Sequence, residues 1–98
     1  MPTTPSQYAG RIMNKQELAQ AIRSDIIGEF DAIMQYEQHI METDNEVAKT
    51  VWTDIRNEEM VHVGELLTLL AYIDPSEEIY FAQGQKEVED MLRKMGKI

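Results

Sequence analysis

Two long stretches of the chain repeat apolar residues at helical spacing, and an acid breaks each repeat. The first runs Leu18, Ile22, Ile26, Glu29, Ile33, Tyr36, Ile40. The second runs Val51, Ile55, Glu59, His62, Leu66, Leu69, Ile73. Steps of three and four residues place each set on one face of a helix. Beside the first seam lies a second apolar strip, Ile27, Phe30, Met34 and Met41; beside the other lie Val63, Leu67 and Leu70. A two-helix hairpin cannot bury both strips of both helices. A third helix covers part of them, and the remainder implies a second copy of the chain.

The punctuation fits this pattern. Asn14-Lys15-Gln16-Glu17 has the form of a capping box, so helix 1 is expected from a cap at Asn14 to about Glu42. Thr43-Asp44-Asn45 is a polar turn. Helix 2 is expected from near Asn45 or Glu46 to Ile73, where Asp74-Pro75-Ser76 ends it. Helix 3 is expected from about Ser76 to Lys94, with Glu77 and Glu78 at its start, Arg93, Lys94 and Gly96 at its end, and Gly84 as a point of bending. Residues 1–13, with Pro2, Pro5 and Gly10, read as a flexible N-terminal arm before a single helical domain over 14–98. The fold class is all-α: an antiparallel hairpin plus a C-terminal helix, dimerising into a four-helix bundle.

Folded as a hairpin about Asp44, the chain brings Glu29 and Glu59 to one height, each about 22 Å from the turn at 1.5 Å rise per residue. His62 shares the face of Glu59, three residues on. A lone Glu-x-x-His is more often a solvated pair than a ligand set. Here both residues sit on an apolar seam, opposite a third seam group of matching chemistry. Carboxylates so placed cannot both stay ionised comfortably without a cation. One chain then offers two carboxylates and one imidazole, thin for a redox metal. Two chains related by a two-fold offer four Glu and two His, the donor set of di-iron carboxylate bundles. Asp25, one turn before Glu29, reads first as a flank carboxylate, with orienting His62 as the alternative. Glu58 and His39 read as surface residues, and Tyr36 falls level with Trp52 as an aromatic pair. Iron is the expected metal, one per chain, with Mn or Zn able to accept the same ligands.

Composition narrows the partners. Eighteen acids against nine Lys and Arg give a net charge of −9, which disfavours nucleic acid and anionic membrane. No Cys is present, so thiolate sites and thiol nucleophiles are excluded. No apolar run approaches the roughly 20 residues of a membrane span, and a cytoplasmic protein is expected.

With these residues in view, the chain resembles the encapsulated ferritins, short free-standing chains and similar domains fused to some archaeal encapsulin shell proteins. The resemblance spans residues 15–89. It rests on Ile27-Gly28-Glu29-Phe30-Asp31-Ala32-Ile33, Tyr36-Glu37-Gln38, Arg56-Asn57-Glu58-Glu59-Met60-Val61-His62-Val63-Gly64-Glu65 and Asp74-Pro75, and on the Glu29-to-Glu59 spacing. It implies a ferroxidase centre formed across a homodimer, with Glu29, Glu59 and His62 as iron ligands and catalytic residues. It implies a ring-shaped decamer of such dimers, residence inside an encapsulin nanocompartment as cargo of its shell protein, and a role in iron storage and detoxification. By position, Tyr36 matches an aromatic near the centre and Asp31 an outer acid associated with iron entry. Some members carry an acid where this chain has Gly28 and a Trp where it has Gln35. The tail, Leu92 to Ile98, matches the family's Leu- and Gly-containing docking tag only loosely, with different spacing. Free cargo and a domain of a shell fusion are both compatible with this likeness. Two other readings stand beside it: a rubrerythrin-like peroxide scavenger, and a metal-free helical adaptor.

Overall fold

The computed structural model describes residues 10–98, and those residues form three α-helices with no strand. The expected arm thus lies, for residues 1–9, outside the described residues. Helix α1 spans Lys15–Met41. Asn14 caps it through the reciprocal box: the Glu17 amide donates to Asn14 Oδ1 at 2.8 Å, and the Asn14 amide donates to Glu17 Oε1 at 3.0 Å. The Arg11 guanidinium, followed by the Asn14 amide, holds the Glu17 carboxyl well below its ordinary range, at about 2. Helix α2 spans Glu46–Ile73 and is capped by Asn45, whose Oδ1 accepts from the Ala48 amide at 3.0 Å.

The end of α2 differs slightly from the sequence expectation. Pro75–Glu77 form a single 3-10 turn, and helix α3 starts after it, spanning Glu78–Lys94. Pro75 has no amide to continue α2, and Asp74 Oδ1 takes both the Ser76 hydroxyl (2.6 Å) and, at 3.4 Å, the Ser76 amide, which tightens the turn. Gly84 does not split α3, which runs unbroken through it. A Schellman cap closes it: Lys97 donates to Leu92 O, Gly96 donates to Arg93 O, and Gly96 takes a φ of +72° that favours glycine.

Helices α1 and α2 pack as the expected antiparallel hairpin, and the core sits at its open end. Ala19, Ile22 and Leu70 are buried together, with Leu18, Ile26, Leu66 and Ile73 against them; Ile33 and Val63 are buried further along. The seam expected on α1 therefore faces inward. On α2 the phase differs. Leu70 is 6% exposed and Leu69 44%; Val63 is buried, whereas Val51 and His62 are exposed. The inner face of α2 runs through Ile55, Glu59, Val63, Leu66, Leu70 and Ile73. Its apolar arc was wide enough to fit either strip, and packing against the small Ala19 and Ile22 selects Leu70.

Helix α3 buries none of its residues, so it does not cover the outer strips of the hairpin as expected. The 3-10 turn directs it away, and the chain extends over 48 × 47 × 20 Å. Its radius of gyration is 18.0 Å, against about 13 Å for a compact domain of similar length. Phe30, Met34 and Met60 on the hairpin and Phe81, Val88 and Met91 on α3 are left exposed in the single chain. Apolar surface of this extent marks an interaction surface.

Candidate metal centre

Glu29 sits midway along α1, and Glu59 and His62 sit on α2, so the site belongs to the most regular part of the hairpin. One ligand atom from each of the three lies within 4.8 Å of the others, the metal-type cluster found among the described residues. His62 Nδ1 is 3.4 Å from Glu59 Oε2 and 3.6 Å from Glu29 Oε2. None of these contacts is a hydrogen bond of normal length. The three expected site residues thus come together as the hairpin arithmetic requires.

Their burial is unequal, and the inequality is informative. The Glu29 side chain is 23% exposed, yet its Oε2 is fully buried with no hydrogen-bond partner. A buried carboxylate oxygen without a donor is costly. A cation among Glu29, Glu59 and His62 would satisfy it, and oxygen and imidazole donors suit iron, manganese or zinc. His62 is 47% exposed at the opposite edge, because the phase of α2 turns it outward. One side of the cluster is therefore open, where further ligands can enter.

Next to the cluster lies a cleft of about 470 Å³ lined by Ser24, Asp25, Gly28, Glu29, Ala32, Glu59 and Leu66. Asp25 lines the cleft beside Glu29, whereas the carboxylates facing the His62 imidazole are Glu29 and Glu59. Gly28 leaves that wall open, since a Cβ there would meet nothing within 4 Å. Asp31 and Glu58 are exposed and lie outside both cleft and cluster. Tyr36 is half-buried on the inner side of α1, nearer the turn.

Two expectations about neighbours change. Trp52 faces His39, with ring centroids 5.1 Å apart and planes at 47°, in place of the expected Tyr36 pair; His39 is half-buried rather than on the surface. Equal height along a hairpin does not fix which residue turns toward the partner helix. Arg56, which opens the family-like stretch on α2, has a role that its spacing does not reveal. It is half-buried on α2, 3.7 Å from Glu37, and donates to Asn57 Oδ1 at 3.1 Å, while its Nε has no partner. A single Arg between apolar seam positions carries no signal by spacing.

Comparisons with known proteins bear on this geometry. No family model matches the chain. A ferritin-like–encapsulin shell fusion protein of Pyrococcus furiosus is 36% identical over 77 residues, covering 79% of this chain and 22% of that protein. The encapsulin nanocompartment cargo protein EncC of Myxococcus xanthus is 42% identical over 67 residues, covering 68% of this chain and 52% of that one. The chain thus spans about a fifth and about half of the curated relatives it matches. The crystal structure of the encapsulated ferritin domain from Pyrococcus furiosus aligns with a TM-score of 0.83 at 32% identity, covering 92% of this chain and 93% of that one.

Proposed function

The chain belongs to the encapsulated ferritin family, and on that premise we propose that it is a ferroxidase, taking Fe(II) as substrate at a centre completed by a second copy of itself. The observation that carries this reading is the convergence of Glu29, Glu59 and His62 around a buried carboxylate oxygen that lacks a donor. Three donors are few for a redox metal, which takes about four to six. A two-fold partner doubles the set to four carboxylates and two imidazoles around two metal positions. His62, open at the edge of the cluster, and the uncovered apolar faces of the hairpin support such a partner.

Iron supplies the electrons: two Fe(II) give one each to dioxygen, which with two protons becomes hydrogen peroxide, or to hydrogen peroxide, which with two protons becomes two waters. The chain's part is binding and electrostatics. Glu29 and Glu59 present hard, anionic oxygens, which hold Fe(III) more tightly than Fe(II) and so favour oxidation. His62 adds a neutral donor and leaves room for the oxidant on the exposed side. The cleft at Asp25 and Gly28 provides an approach to Glu29 for a hydrated cation. The encapsulin context of the relatives extends the reading to a ring of dimers, a decamer, housed within a shell that stores the oxidised iron.

The test is metal analysis and Fe(II) oxidation on protein from iron-supplemented culture. The expected result is one bound iron per chain and oxidation of added Fe(II) in air well above the buffer rate. Protein that binds no iron and oxidises at the buffer rate would refute the reading and favour a metal-free helical adaptor.

A further inference from the structure

Helix α3 leaves the hairpin without any buried side chain to hold its direction. Apolar packing, the usual source of interhelix angles, is missing there. Among the described residues, one guanidinium of α1 reaches the junction from which α3 departs. Arg23, in the first half of α1, donates through Nη2 to Asp74 Oδ2 at 3.4 Å and forms a short contact with Glu77 Oε1. Its Nη1 is held by Gln20 Oε1 at 2.9 Å. Asp74 is the C-terminal cap of α2 and Glu77 lies in the turn that opens α3. A single side chain of α1 therefore grips both sides of the α2–α3 junction.

We propose that Arg23 is the strut that sets the angle between α3 and the hairpin. The chemistry suits the task. A planar guanidinium offers several fixed N–H donors and can engage two carboxylates at once, which a lysine cannot do in fixed geometry. The three side chains are each about one-quarter to one-third exposed, so the tie is partly shielded from water. Asp74 is itself anchored, its Oδ1 occupied by Ser76, so that Oδ2 is left for Arg23. The Ser76 hydroxyl, and then the charges of Arg23 and Lys15, hold the Asp74 carboxyl below its ordinary range. The angle in turn fixes where α3 presents Phe81, Val88, Met91 and Met95, a narrow seam at spacings of three, four and seven residues that suits a partner helix. That consequence rests on the self-association proposed above; the strut does not.

The experiment uses the absence of native Cys. Spin labels at Asp54→Cys on α2 and Ala82→Cys on α3, both exposed, report the hairpin-to-α3 distance by pulsed dipolar spectroscopy. The labelled chain is diluted in unlabelled protein, so that distances within one chain dominate. Wild type is expected to give one narrow distance peak, and Arg23→Ala and Glu77→Ala each a broader distribution with unchanged far-UV helicity. An Arg23→Ala distribution as narrow as wild type would overturn the proposal. If Arg23→Ala does not fold, Glu77→Ala decides alone, broader for the strut and as narrow as wild type against it. Failure of the self-association reading would appear separately, as a monomeric mass for wild type in light scattering, and would leave the distances readable.

Discussion

Alanine at Glu29, Glu59 or His62 is expected to lower the rate of Fe(II) oxidation by about 100-fold or more, the upper end of what even supporting groups around a metal are worth. Each removes one donor from a set in which one ligand atom per residue lies within 4.8 Å of the others. In the proposed two-fold dimer, each substitution would also remove a donor from both metal positions. Glu58→Ala and His39→Ala provide the controls. Glu58 is exposed and outside the cluster, although it adjoins Glu59 in sequence, and His39 is engaged with Trp52 toward the turn. Both are expected to keep near wild-type rates in a stopped-flow assay under air. Loss of activity in Glu58→Ala with retention in Glu59→Ala would show that the working face of α2 is rotated from the one described.

The second large effect is a reversal of stability order between metal-free and metal-loaded protein. In chelator, Glu59→Ala is expected to be at least as stable as wild type. The wild-type chain holds two carboxylates close together with His62 as their nearest cation-forming neighbour, and Glu29 Oε2 has no donor. The proposed two-fold partner would bring two more acids to the same layer. Like charges at this range repel, which costs stability. The opposing effects are the cavity left by alanine and the loss of the Glu59–His62 contact. Repulsion is expected to prevail because the site adjoins a cleft wide enough to admit water in place of the lost side chain. With Fe(II) under anaerobic conditions the wild type should gain about 2.7 kcal/mol over its own metal-free form at a hundredfold excess over the dissociation constant, and so become the more stable of the two. Thermal unfolding of both proteins at one concentration reads the two orders. A wild type clearly more stable in chelator would mean that the seam acids are held by protein partners, as in a metal-free adaptor.

The sequence carried the helix limits well because their signals are local chemistry. Asn14 with Glu17, Asn45, and Asp74-Pro75 each act on backbone groups within a few residues. The meeting of Glu29 with Glu59 and His62 was also legible, since equal distance from a short turn fixes height in a hairpin. Rotation about the helix axis was not. Leu69 and Leu70, or His62 and Val63, differ by one residue, and an apolar arc wide enough for two strips leaves the choice to packing. The same uncertainty explains why Trp52 meets His39 and not Tyr36. The course of α3 was hidden for a different reason. Its amphipathic pattern demands a partner without naming one, and the tie that directs it joins Arg23 to residues about fifty positions away.

The central claim is that the metal centre is built by two chains, and sedimentation velocity with and without anaerobic Fe(II) tests it most directly. Across a dilution series, Fe(II) is expected to shift wild-type protein from monomer toward dimer and larger forms, since each ligand set is completed by the partner. Glu59→Ala should show no such shift. An identical distribution of wild-type species with and without Fe(II), at concentrations where monomer is present, would contradict the account.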